Sequence, residues 1–146
     1  MFFQLLKVSI VSLYVIFVLY GIVLIGSWIV DRNIPLNIYE IAYLTPTTTA
    51  GSDYILTIES RRNRFCRMQI EGSIPVNEKQ ITVSMKTNGL DNEYLDSFVN
   101  YLWFMVPRTM TPGIYSLTLD FTFECNPIHR WWPIRTRVGG LKFQVG

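Results

Sequence analysis

The sequence is poor in the residues that most enzymes and metal sites use. It has one histidine and two cysteines, with neither a Gly-rich phosphate-binding loop nor a G-x-S-x-G motif. A zinc site takes several histidine or cysteine ligands, and a nucleophile needs a base beside it. We therefore predict no enzyme, no metal site and no cofactor, and interpret His129 as a surface or packing residue.

Charge of one sign does not dominate the chain after the first thirty residues. Beyond residue 32, eleven Lys and Arg face ten Asp and Glu, so this region is nearly neutral. A nucleic-acid-binding domain usually carries a basic excess, and we predict no such partner. We interpret the cluster of Asp91, Glu93 and Asp96 as solvated charge in a loop, with a catalytic carboxylate pair as the alternative.

Charge is absent altogether between Val8 and Val30. A helix of this length spans about 34 Å, which exceeds the ~30 Å hydrocarbon core of a bilayer. A cleaved signal peptide is the alternative, but its apolar region is shorter, about 7 to 15 residues, and is followed by a small-x-small site. We predict an uncleaved anchor over residues 1–31, with residues 8–30 in the lipid bilayer.

The residues that flank the apolar run predict its orientation. Lys7 and the free amino group precede the run, while Asp31 and Arg32 cancel each other after it. The positive-inside rule therefore places the N-terminus in the cytoplasm. The sequence also contains two cysteines, and a disulfide between them would agree with this orientation, because disulfides persist outside the reducing cytosol.

Short runs that alternate apolar and polar residues follow the anchor, with a turn signal about every ten residues, which is typical of a β-sandwich. We predict a tether over residues 32–53, with a possible edge strand at 38–44. We then predict an all-β, Ig-like antiparallel β-sandwich of about seven strands over residues 54–146. The clearest strand is Tyr115–Cys125, whose odd-numbered residues should face the core. The others are Tyr54–Ile58, Phe65–Ile70, Ile81–Lys86, Phe98–Val106, Ile134–Val138 and Leu141–Val145.

Three glycine-containing turns are predicted between these strands. Thr111-Pro-Gly113 fits a type II turn, and Asn88-Gly89 fits a tight turn. Gly139 and Gly140 can supply positive φ for a hairpin, in which Arg137 and Lys142 would face each other outside.

The strand Phe98–Val106 is apolar on both faces. Such a strand is either buried in the centre of a sheet or exposed and used for docking, and we favour the buried interpretation.

The two cysteines are predicted to form a disulfide. Cys66 shares one strand face with Met68 and Ile70, and Cys125 lies on the apolar face of the clearest strand. Both thiols should then point into one core, and their bond would close a loop of about 60 residues, worth about 4 kcal/mol. Two free buried cysteines are the alternative.

Arginine and tryptophan concentrate next to both cysteines. A Cys66–Cys125 bond would join the two segments into one patch, which is either ordinary solvated surface or a contact site. A contact site would bind anionic lipid headgroups or an acidic protein surface. The predicted patch consists of Arg61, Arg62, Arg64, Arg67, Arg130, Trp131, Trp132, Arg135, Arg137 and Lys142.

The C-terminal forty residues carry a loose motif. It runs from Pro112-Gly113-x-Tyr115 through an alternating strand to Cys125-Asn-Pro-Ile-His-Arg-Trp-Trp-Pro-Ile134. Together with the N-terminal span and the arginine-flanked Cys66, this motif resembles small uncharacterised single-pass membrane proteins encoded by tailed bacteriophages and prophages.

The resemblance implies a bacterial inner-membrane protein whose C-terminal domain is periplasmic. It also implies a non-catalytic interaction or structural role in superinfection exclusion, lysis or assembly, with an envelope or phage protein as partner. A lipid- or glycan-binding module that uses the arginine and tryptophan patch is the alternative.

Overall fold

The computed structural model describes residues 2–44, 47–77, 79–88 and 97–146. The chain divides into two compact units, Met1–Asn33 and Ile34–Gly146. The predicted Asn88-Gly89 turn and the cluster of Asp91, Glu93 and Asp96 lie wholly or partly outside the described residues.

The first unit is one helix, α1, over Phe2–Val30. Its segment Ser9–Val30 has a mean hydropathy of 2.4 and is long and apolar enough to cross a membrane. The apolar side chains of this segment are exposed around the whole helix, from Leu13 to Val23 and Val30. A helix that is apolar on every side suits a lipid environment, and the segment agrees with the predicted span.

The second unit is a sandwich of two β-sheets. The described strands are β1 Leu36–Tyr43, β2 Thr47–Thr48, β3 Asp53–Arg62, β4 Arg67–Val76, β5 Lys79–Ser84, β6 Lys86–Asn88, β7 Ser97–Met105, β8 Gly113–Glu124 and β9 Ile134–Val145.

One sheet has the strand order β1-β3-β7-β6 and the other has the order β2-β9-β8-β4-β5. Neighbouring strands are antiparallel, except that β2 runs parallel to β9. This arrangement corresponds to the two sheets of an immunoglobulin-like sandwich. The predicted fold class is confirmed, with nine strands in the described residues in place of about seven.

Alternation along β8 builds the centre of the core. Leu117, Leu119, Phe121 and Phe123 are buried, as predicted, and Tyr115 packs against them while half-buried. Each of the buried side chains contributes about 1.5–3 kcal/mol through removal of apolar surface from water.

The segment predicted as a tether contributes strands to both sheets. β1 pairs with β3 at the edge of the four-stranded sheet, which agrees with the predicted edge strand. β2 pairs with β9, and Gly146 N–H donates to Thr48 O at 2.8 Å. The compact unit thus begins at Ile34, twenty residues before the predicted start at residue 54.

The predicted hairpin at Gly139-Gly140 is wrong, because both glycines lie inside the single strand β9. The register with β8 shifts there, with Leu117 opposite Leu141 and Leu119 opposite Val138. Two residues of β9 therefore face one of β8, which is a β-bulge. Gly140 has a φ of 82°, and a bulge uses the same positive φ as a tight hairpin turn.

The predicted type II turn at Thr111-Pro-Gly113 is also wrong. That turn requires positive φ at its glycine, whereas Gly113 begins β8 with negative φ and pairs with Val145. The chain reverses slightly earlier, where Met110 N–H donates to Pro107 O at 3.1 Å.

Candidate interaction surface

The Cys66–Cys125 disulfide is present, with 4.3 Å between the two Cα atoms. It lies one residue beyond the Arg67–Glu124 pair that ends the β4–β8 ladder. Both cysteines are half-buried against the core. The bond therefore joins neighbouring strands of one sheet, whereas the bond of antibody domains joins the two sheets.

The segment after Cys125 is a short 3-10 helix, Pro127–Arg130, which positions the tryptophans. Asn126 caps this helix, since its Oδ1 accepts hydrogen bonds from Ile128 N–H at 3.0 Å and His129 N–H at 3.1 Å. His129 is fully buried, and its Nδ1 accepts a hydrogen bond from Cys125 N–H at 3.2 Å. His129 is thus a packing residue, one of the two roles predicted for it.

We call the end of the sandwich where this helix lies the disulfide end. It is formed by residues 61–67, residues 125–135 and the beginning of β1 at Leu36. Leu36 pairs with Arg62, and Pro35 O accepts a hydrogen bond from Asn63 N–H at 2.8 Å. The chain that leaves α1 therefore enters the sandwich at its disulfide end.

Exposed aromatic side chains concentrate at the disulfide end. Trp131 is 91% exposed, Trp132 is 56% exposed and Phe65 is 52% exposed. Sequence reasoning missed Phe65. The signal was available, because Phe65 precedes an inward-facing cysteine and strand alternation directs such a neighbour outward.

Most of the predicted arginines also lie at this end. Arg61, Arg67, Arg130 and Arg135 are exposed, and Arg64 is half-buried. Arg67 stands opposite Glu124 in the ladder, whereas Arg135 stands opposite Thr122. The disulfide end therefore combines exposed guanidinium groups with exposed aromatic rings.

Three residues of the predicted patch do not belong to the exposed arginines and aromatic rings of the disulfide end. Arg62 is only 8% exposed, beside the first residue of β1. The side chain of Arg137 bonds to Asp120, with 2.6 Å between Nε and Oδ1, and this hydrogen bond raises the pKa of Arg137. Lys142 stands opposite Ser116 and not opposite Arg137, because β9 continues straight where a hairpin was predicted.

The strand β7 is central in its sheet and exposes one of its two faces. It lies between β3 and β6, and Leu102, Phe104 and the following Val106 are buried. Its other face is exposed, with Val99 at 57% and Met105 at 61%. The prediction of a central strand is confirmed, but burial of both faces is wrong, because this face of the sheet lies outside the sandwich.

Among the described residues, no group of three or more His, Cys, Asp or Glu is placed to hold a metal ion. A comparison with protein-family models and with curated proteins gives no match.

Proposed function

We propose that this chain is a single-pass membrane protein that presents a non-catalytic interaction domain outside the cytoplasm. The observation that carries the proposal is the Cys66–Cys125 disulfide in the domain that follows the span. Such bonds persist in oxidising compartments and are rare in the cytosol. Lys7 before the span supports a cytoplasmic N-terminus by the positive-inside rule.

The exposed side chains support a role in interaction. Immunoglobulin-like sandwiches are scaffolds whose loops and outer faces serve many contacts, so function depends on the site and not on the fold. Here the aromatic and arginine side chains of the disulfide end are of the types enriched in binding hot spots. The exposed face of β7, with Val99, Tyr101 and Met105, is a second apolar surface.

As part of this proposal the domain lies in the bacterial periplasm, a location that the resemblance to phage and prophage membrane proteins supports. There it contacts an envelope or phage protein during superinfection exclusion, lysis or assembly. The genes that flank this one would distinguish these roles.

A pair of reporter fusions tests the topology. Alkaline phosphatase, which is active only outside the cytoplasm, is fused after Gly146 in one protein and before Met1 in another. We expect activity from the C-terminal fusion alone. Activity from the N-terminal fusion alone, or recovery of the untagged protein in the soluble fraction, contradicts the proposal.

A further inference from the structure

A short stretch of chain joins α1 to the disulfide end. Only Asp31–Pro35 separates Val30, the last residue of α1, from Leu36, the first residue of β1. At about 3.3–3.6 Å per residue, this connection reaches roughly 20 Å when fully extended. If α1 crosses a bilayer, Leu36 at the disulfide end cannot lie farther than that from the end of the span.

The side chains exposed at this end suit a bilayer surface. Trp131 and Trp132 have an apolar ring and one N–H donor, which is the chemistry found at the level of lipid headgroups. Phe65 adds a purely apolar ring from the neighbouring loop. Arg130 and Arg135 are exposed guanidinium groups, whose planar donors match phosphate oxygens.

The loops that carry these side chains are held in place from within. The disulfide joins the Phe65 loop to the Trp131 loop, and Asn126 caps the 3-10 helix between Cys125 and Trp131. A preorganised surface loses less conformational entropy on binding than a flexible one.

We infer that the disulfide end docks on the membrane that α1 crosses. Trp131, Trp132 and Phe65 enter the headgroup region of the leaflet on the sandwich side, and the exposed arginines bind the phosphates of anionic phospholipids there. This inference rests on the proposed function, because it requires α1 to be in the bilayer. Docking would fix the orientation of the sandwich and leave the β7 face available to a partner.

Tryptophan quenching by brominated lipids tests the inference in the full chain. The protein is reconstituted into vesicles of phosphatidylcholine and phosphatidylglycerol, with one of the two lipids brominated in its acyl chains. A variant with Trp28→Phe and Trp103→Phe keeps only the two tryptophans of the disulfide end. A second variant, with Trp131→Phe and Trp132→Phe, keeps Trp28 in the span and Trp103 on β7.

We expect quenching in both variants. Quenching only in the variant that keeps Trp28 and Trp103 shows that the span is inserted while the disulfide end faces water or a protein. This result overturns the inference and leaves the proposed function intact. Absence of quenching in both variants shows that the span is not inserted, and it overturns both.

Charge neutralisation sharpens the same measurement. Each basic residue at an anionic surface is worth about a fivefold change in the equilibrium between docked and undocked domain. We therefore expect Arg130→Gln and Arg135→Gln each to lower the docked-to-undocked ratio about fivefold. Lys142→Gln is the matched control, because Lys142 is an exposed cation on β9 away from the disulfide end. An equal effect of all three changes, or no effect of the two arginine changes, overturns the role of the arginines.

Discussion

The two ends of the sandwich are closed by different physical means. The disulfide end has a covalent bond, a capped 3-10 helix and exposed tryptophans. The opposite end, which we call the turn end, is formed by the turns at Thr49–Ser52 and Pro107–Met110. There, Ser52 Oγ donates to Thr49 O at 2.6 Å and Tyr115 Oη donates to Thr111 O at 2.9 Å.

A cluster of aromatic rings packs in the core next to the turn end. The rings of Tyr54 and Phe143 are 4.9 Å apart between centroids, and Phe104 contacts both. Tyr115 extends the cluster at 6.0 Å from Phe143. The turn end thus depends on local hydrogen bonds and on the core. The disulfide end instead exposes its large aromatic side chains and depends on a covalent cross-link.

The largest expected effect comes from removing the cross-link. A Cys66→Ser, Cys125→Ser double variant should lose about 4 kcal/mol of unfolding free energy, because the bond closes a loop with a sequence separation of 59 residues. Urea denaturation measures the loss, and reduction of the native protein should reproduce it. A loss below about 1 kcal/mol would show that the disulfide end is closed by packing, like the turn end.

The next effect tests the turn end. Phe143→Leu should cost about 2 kcal/mol, between a conservative swap and truncation to alanine, because Phe143 contacts three aromatic rings. Ile114→Ala is the control, since Ile114 is 75% exposed on the adjacent strand and should change stability little. Equal losses in the two variants would contradict an aromatic core at this end.

A smaller effect should follow from loss of the cap in the disulfide end. Asn126→Ala removes the acceptor for Ile128 N–H and His129 N–H and should cost about 1 kcal/mol. Asn126→Asp keeps an acceptor at this position and should retain most of the stability. Urea denaturation compares the two variants. Equal stability of the alanine and aspartate forms would show that the Asn126 cap does not contribute to stability.

At neutral pH the smallest effect concerns Tyr54, whose hydroxyl is buried without a hydrogen-bond partner among the described residues. Burial, and to a lesser degree Tyr43, raises the pKa of Tyr54 to about 12 from the usual 10.0. The tyrosine is protonated in both the folded and the unfolded chain below pH 10, and the contribution to the unfolding free energy is then fully present. It is lost as pH rises from 10 to 12, because the tyrosine of the unfolded chain ionises first.

Tyr54→Phe should therefore remove part of the alkaline destabilisation. At neutral pH it should be neutral or stabilising by up to about 1 kcal/mol, because it deletes an unsatisfied polar group. Unfolding free energies of both proteins across the alkaline range measure this, and identical pH dependence would contradict the assignment.

Alternation made the centre of the fold predictable. In β8 each buried residue is separated from the next by one that faces outward, and this pattern depends only on local geometry. The disulfide was predictable for the same reason, because both cysteines occupy inward positions next to recognisable strands.

The errors arose where one local signal serves two structures. Gly139-Gly140 fits either a hairpin or a bulge, and only the twelve-residue length of β8, which pairs with the whole of β9, decides between them. The predicted contact patch included Lys142 because a hairpin was expected at these glycines. The continuous strand β9 instead places Lys142 away from the disulfide end. Arg62 faces inward by strand alternation, which the run of arginines obscured.

The most direct test of the central claim is the redox state of the two cysteines in intact cells. Intact cells are treated with a membrane-permeant maleimide before lysis, with and without prior reduction, and the protein's mass is then measured. We expect no maleimide on unreduced protein and one on each of Cys66 and Cys125 after reduction. Labelling of both cysteines without reduction would place the domain in a reducing compartment and contradict the account.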